Sequence, residues 1–60
     1  MNRIKEARFI RKMTQMRLFQ LTGIWPSKIS SVENGYVTPT ELEKDKLAKV
    51  LELQKEWLFP

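Results

Sequence analysis

The chain of 60 residues contains no cysteine and no histidine. Without cysteine there is no disulfide to staple a small fold and no thiolate to hold a metal. Without histidine the commonest metal ligand and the commonest general acid–base are missing as well. An enzyme is therefore not expected, and neither is a metal or a cofactor. A chain this short must rest on efficient packing, and the absence of cysteine fits a reducing, intracellular setting. Glycine is scarce: Gly23 and Gly35 are the two in the chain, and neither sits in a Gly-rich phosphate loop. No apolar run approaches the ~20 residues of a membrane span. The opening stretch MNRIKEARF is charged and lacks the apolar core of a signal peptide. Repeats, low-complexity segments, long linkers and the alternating β-branched runs of strands are all missing. These absences leave a single helical domain over residues 1–60, with no membrane partner and no small-molecule substrate.

What is present is positive charge, unevenly placed. The net charge is +4. Residues 1–40 hold seven bases (Arg3, Lys5, Arg8, Arg11, Lys12, Arg17 and Lys28) against the two acids Glu6 and Glu33, whereas residues 41–60 hold four bases against five acids. A basic excess gathered in one part suggests a polyanion partner, most often nucleic acid. On charge alone, an ordinary solvated surface with a modest bias explains it equally well.

The apolar spacing is helical throughout. Asn2 caps a first helix over residues 3–12, whose face with Ile4 and Ala7 also carries Arg8 and extends toward Arg11. Thr14 caps a second over residues 15–22, with Leu18, Phe19 and Leu21 inward, and Gly23 ends it as a residue of positive φ. Trp25 precedes proline and is pushed out of the α region. Pro26 opens a third helix that runs to Asn34, with Ile24 and Ile29 forming a hydrophobic staple across its start. Gly35 ends it and YVTPT is a loop. Thr40 caps a fourth helix over residues 41–52 with Leu42, Leu47, Val50 and Leu51 on the core face. A last short turn returns Trp57, Leu58 and Phe59 to the core or to a dimer surface, with Trp57 inward.

Two short helices joined by TGIWP make a helix-turn-helix, a motif whose second helix projects into the DNA major groove. Ser27, Lys28 and Ser31 share one face of that second helix by their spacing of three and four. Glu33 lies on the apolar face with Ile29, so it needs a charged partner.

The run TQMRLFQLTGIWPSKISSVENG resembles the Cro/repressor (XRE-type) helix-turn-helix family of phages and bacteria. Thr14, Gln15, Leu18, Gly23, Ile24, Ile29, Val32, Glu33, Asn34 and Gly35 fall in its register. RIKEAR resembles its first helix, and LAKVLELQKEWL its fourth and fifth. The resemblance covers nearly the whole chain and implies an all-α, compact five-helix, lambda-repressor-like domain. It also implies sequence-specific binding of double-stranded operator DNA in transcriptional regulation, as a repressor, in the cytoplasm or nucleoid of a bacterium. Family members bind as homodimers, at least on DNA, and Leu58, Phe59 and the chain end are the expected contact.

By the same resemblance Gln15 touches the DNA backbone or a base edge. Ser27, Lys28 and Ser31 occupy base-reading positions, and Asn34 a phosphate contact. Arg8 and Glu33 occupy the positions of a structural salt bridge. Tyr36 and Thr38, in the loop that follows, are phosphate-donor candidates. Trp25 stands at the groove edge, where its N–H can donate to a phosphate and its ring can lie on a sugar or thymine methyl, or else it folds back on the second helix and only packs. Lys28, Arg11, Lys12 and Arg17 are expected on or near the DNA side.

Three departures from the family pattern stand out. Phe19 replaces a usual alanine at the close helix crossing, so its ring needs space left by small residues on the third helix. Trp25-Pro26 replaces a serine cap and a polar residue. Glu52 replaces a common glycine, which predicts that the fourth and fifth helices run together. An antitoxin-type or accessory regulator acting through a protein partner, or a protein-interaction module without DNA, are the competing functions; the polar groove face favours DNA.

Overall fold

The structure, a computed structural model, describes residues 2–60, and among the described residues it is all-helical with no strand. Its helices are α1 (Ile4–Ile10), α2 (Gln15–Thr22), α3 (Pro26–Glu33), α4 (Glu41–Leu51) and α5 (Lys55–Leu58). Local signals mark the starts of α2, α3 and α4, whereas the N-cap of α1 is Arg3 rather than the expected Asn2, and neither Arg3 nor Gln54, at the start of α5, makes a side-chain cap bond. Asn2 Oδ1 accepts the Ile4 N–H at 3.1 Å. Thr14 Oγ1 accepts the Arg17 N–H at 3.0 Å and so caps α2. Thr40 and Glu43 exchange hydrogen bonds of 3.1 and 2.9 Å, a capping box at the start of α4. No side chain caps α3. Trp25 is extended there, at φ −56° and ψ 143°, and Pro26 follows at the first turn, where its missing N–H forfeits no bond.

Four of the five helices end in left-handed backbone, and only two of these ends use glycine. Gly23 and Gly35 close α2 and α3, each at φ 78°. The Gly23 N–H donates to Phe19 O at 2.7 Å, and Tyr36 N–H to Ser31 O at 2.9 Å. Lys12 (φ 55°) and Glu52 (φ 56°) do the same work after α1 and α4. Around Lys12, Met13 N–H reaches Arg8 O at 2.8 Å; around Glu52, Leu53 N–H reaches Ala48 O at 3.2 Å. The bond at Gly23 is the five-to-one bond and the other three are six-to-one bonds; each satisfies a carbonyl orphaned at a helix end. Left-handed Glu52 separates α4 from α5, so the two helices do not run together. Likewise α1 stops at Ile10 rather than at residue 12.

A left-handed side-chain-bearing residue costs about 1–2 kcal/mol of backbone strain, partly offset by the greater unfolded freedom of glycine. Glu52→Gly is therefore expected to stabilise the fold by up to about 1 kcal/mol, raising the melting temperature by about 4–8 °C. A thermal melt that falls on this substitution would show the Glu52 side chain to matter more than its backbone.

The core draws on every helix. Ile4, Ala7, Leu18, Ile29, Val32, Leu47, Leu51 and Leu58 are buried with Ile24 of the turn, and Met13, Phe19, Ala48, Val50, Leu53, Trp57 and Phe59 pack around them. Fully burying one such aliphatic side chain stabilises by about 1.5–3 kcal/mol. Ile24 and Ile29 are both buried, as the staple requires.

Two expected core positions are not in it. Leu42 is 65% exposed. It lies five residues, about 140° around the helix, from Leu47, so it leaves the face that Leu47 and Leu51 share. Leu21 is 43% exposed, because the inward face of α2 carries Thr22 beside Leu18. Thr22 earns that burial with two bonds: its hydroxyl donates to Leu18 O at 2.7 Å and accepts the Ile24 N–H at 3.2 Å.

The two ends of the chain are joined. Arg3 N–H donates to Leu58 O at 2.9 Å. The Arg3 guanidinium reaches Trp57 O at 3.1 Å and lies 4.9 Å from the center of its ring. Leu58 is fully buried, so it is core closure and not a dimer contact. Phe59 is half-buried under the Lys44 ammonium. No helix among the described residues is long and apolar enough to cross a membrane.

Candidate functional site

The site is built on α2, the turn at Gly23 to Trp25, and α3. Its foundation is an ion pair that locks three helices. Arg8 of α1 meets Glu33, the last residue of α3, through Nε–Oε2 at 2.7 Å and Nη2–Oε1 at 3.3 Å. The side chains are 10% and 4% exposed. Arg8 Nη1 donates to Met13 O at 3.0 Å, and Gln15 Nε2, on the first residue of α2, donates to Glu33 Oε1 at 3.0 Å. Both carboxylate oxygens are thus satisfied by three donors, as a buried charge demands. The Arg8–Glu33 pairing expected from the sequence is present. Gln15 is held by the same pair, which leaves its amide oxygen and one N–H available.

A second polar tie links the other side of α3 to the start of α1: Asn2 Nδ2 donates to Val32 O at 2.7 Å. Helix α3 is therefore fixed at its C-terminal end by α1 on two sides, while its middle rests on Ile29 and Val32.

Its outward face is divided. Ser27 is exposed and Ser31 half-buried, four residues apart, without side-chain partners among the bonds described. Lys28 does not share that face. Its ammonium is turned to α4 and sits 2.8 Å from Glu43 Oε2, the side chains 39% and 20% exposed. The Lys28 ammonium, followed by the Thr40 N–H, holds the Glu43 carboxyl below its ordinary range. Asn34 folds its amide back onto Ser30 O at 2.9 Å, keeping its carbonyl oxygen free. Tyr36, 81% exposed, and Thr38, also exposed, follow in the loop.

Trp25 resolves two departures at once. Its ring stacks on Phe19 at 5.2 Å between centroids and 18° between planes, yet Trp25 remains 69% exposed. One face packs on α2 and the other looks outward. Phe19 is accommodated half-buried at the edge of the core, with Trp25 stacked on it at the surface. Offset stacking of this kind adds about 0.5–1.5 kcal/mol beyond area, which replaces part of the missing cap of α3.

The basic excess of residues 1–40 is largely spent within the fold. Arg3 and Arg8 are engaged as described. Arg11 reaches across to the end of α4, Nε to Leu51 O at 2.7 Å and Nη2 to Glu52 O at 3.0 Å, where a cation also offsets the negative helix end. Lys28 is paired. Arg11 and Lys28 are thus not loose charges on the α2–α3 side; Lys5, Lys12 and Arg17 remain exposed. Nothing among the described residues groups His, Cys, Asp and Glu as a metal site.

The pairs Phe19–Trp25 and Lys28–Glu43 are absent from the sequence reading. Five residues separate the first, and a signal lay in the two aromatic departures falling on either side of one turn. The second spans two helices and has no sequence mark beyond opposite charge. The chain matches no protein-family model, no curated protein and no solved structure.

Proposed function

We propose that the protein is a sequence-specific double-stranded DNA-binding regulator of lambda-repressor-like fold, in which α2 and α3 form a helix-turn-helix and α3 enters the major groove. One observation carries this reading. Helix α3 is buried on one side and pinned at its end by Arg8, Glu33 and Gln15, while its outward side offers the short hydroxyls of Ser27 and Ser31 beside a Lys28 ammonium drawn to Glu43. A rigid helix with a small polar face fits a groove without crowding base edges.

In this reading Ser27 and Ser31 face bases. Gln15, Asn34, Tyr36 and Thr38 supply hydrogen bonds to the backbone, and the outer face of Trp25 lies at the groove edge. Two copies bind a two-fold site with their α3 helices about 34 Å apart. Regulation of transcription, by repression, follows from occupancy of an operator. The exposed Phe9 (65%) and Ile10 (57%) on α1 favour a second reading, a protein-interaction module; duplex binding separates the two.

Fluorescence titration of duplex DNA tests the proposal. Each phosphate neutralised contributes about 0.9 to the slope of log K against log salt. Lys5, Lys12 and Arg17, the exposed cations of residues 1–40 that no bond to another helix holds, are expected to contribute at most about −3 to the slope per protomer, less than the full basic count of those residues suggests. Affinity that does not change with salt would sink the DNA reading.

Ser31→Ala is expected to leave the melting temperature almost unchanged, within about 0.5 kcal/mol of stability. It should cost about 1–3 kcal/mol in binding to the preferred duplex and relax preference at one base pair. Equal binding by parent and variant would remove Ser31 from the interface.

A further inference from the structure

The carboxylate facing Lys28 is not a casual surface partner. Glu43 holds two positions at once. Its Oε1 accepts the Thr40 N–H at 2.9 Å, and its Oε2 accepts from Lys28 Nζ at 2.8 Å. The first bond belongs to the capping box of α4, so swinging the carboxylate away would undo a helix cap. Glu43 is thus a fixed counter-charge, 20% exposed, standing beside the helix assigned to the groove. An exposed lysine on that helix would add one phosphate contact on any duplex, whatever its sequence.

We propose that Glu43 is a specificity-determining residue that masks Lys28 and so suppresses indiscriminate binding to duplex DNA. This rests on the DNA-binding reading above. Releasing Lys28 sacrifices the ion pair, and a loosely placed phosphate on arbitrary DNA does not compensate. Only an acceptor placed within reach of Nζ, a guanine edge or a well-set phosphate, restores the lost contact. The carboxyl is held in its ionised form by the same contacts, so the mask persists at neutral pH.

Glu43→Gln is the clean test, because glutamine preserves a capping box while removing the charge. The probe is a 20-base-pair duplex of arbitrary sequence, titrated across salt concentrations with the full chain. Glu43→Gln is expected to steepen the salt slope by about 0.9 and to raise affinity about eightfold at 0.1 M salt. Lys28→Met combined with Glu43→Gln, which removes both charges of the pair, is expected to leave both quantities at the parent values, since the cation is already neutralised. In the Lys28→Met background, Glu43→Gln should no longer steepen the slope. Asp45→Asn, which removes an acid of the same helix paired with Lys55, should not steepen it either.

An unchanged slope in a folded Glu43→Gln protein overturns the proposal. So does a steeper slope that persists without Lys28, or one that Asp45→Asn reproduces. A Lys28→Met, Glu43→Gln double variant that binds the arbitrary duplex more weakly than the parent, with a shallower slope, overturns it even if Glu43→Gln alone does not fold. Absence of duplex binding by parent and variants alike at low salt overturns the DNA reading itself, a different failure.

Discussion

Glu33→Ala is expected to remove most of the protein's stability at room temperature. The substitution strands the Arg8 guanidinium, whose side chain is 10% exposed, and removes the acceptor of Gln15 Nε2. Breaking one side of a buried pair costs about 3–5 kcal/mol, because an uncompensated charge stays behind. A domain of this size has a total stability of roughly 3–9 kcal/mol, so most of it is lost. The attraction within the pair is not what stabilises the fold; its desolvation roughly cancels it. Replacing both residues by apolar ones, Arg8→Met with Glu33→Leu, should therefore recover most of the loss. Urea titration followed by circular dichroism reads both variants. A Glu33→Ala protein as stable as the parent would mean that water reaches Arg8 and the lock is not closed.

Leu58→Ala should cost about 2–5 kcal/mol. Leu58 is fully buried although only Phe59 and Pro60 follow it, and its carbonyl accepts the Arg3 N–H at 2.9 Å. Losing its side chain opens a cavity where α5 closes the core and loosens the tie between the two chain ends. The loss should be the same at every protein concentration, as a core defect in one chain requires. A melting temperature that drops only at high concentration would instead place Leu58 in a contact between copies.

Helix starts were legible in the sequence because they are local. Thr14, Pro26 and Thr40 act through backbone groups within three or four residues, and such signals do not wait on tertiary structure. The Arg8–Glu33 pair was legible through the resemblance and because a carboxylate on an apolar face requires a partner. Lys12 and Glu52 were misread as helical because left-handed closure by a long side chain has no residue signature. At Glu52 it is supported from a distance, by Arg11 on the terminal carbonyls of α4. Leu42 was misplaced because an apolar residue in the first turn of α4 can still fall off the core stripe. Lys28 was read as outward from its spacing to Ser31, but a long side chain at the edge of a face goes where a counter-charge waits, and Glu43 is on another helix.

The alanine-to-phenylalanine departure at position 19 carries a related lesson. Taken alone it is a steric problem at a helix crossing; taken with Trp25 it is half of a stacked pair. The pair leaves a flat aromatic surface at the mouth of α3. That surface is rigid because Pro26 restricts the backbone before it and Phe19 supports the ring from beneath.

The most direct test of the DNA-binding proposal is a selection of bound duplexes from a random pool, at a salt concentration where arbitrary DNA is released. A DNA-reading α3 predicts enrichment of a two-fold-symmetric sequence whose half-sites lie about one helical turn, roughly 34 Å, apart, and whose preference relaxes at one position with Ser31→Ala. A bound pool that stays random in sequence through successive rounds would contradict it.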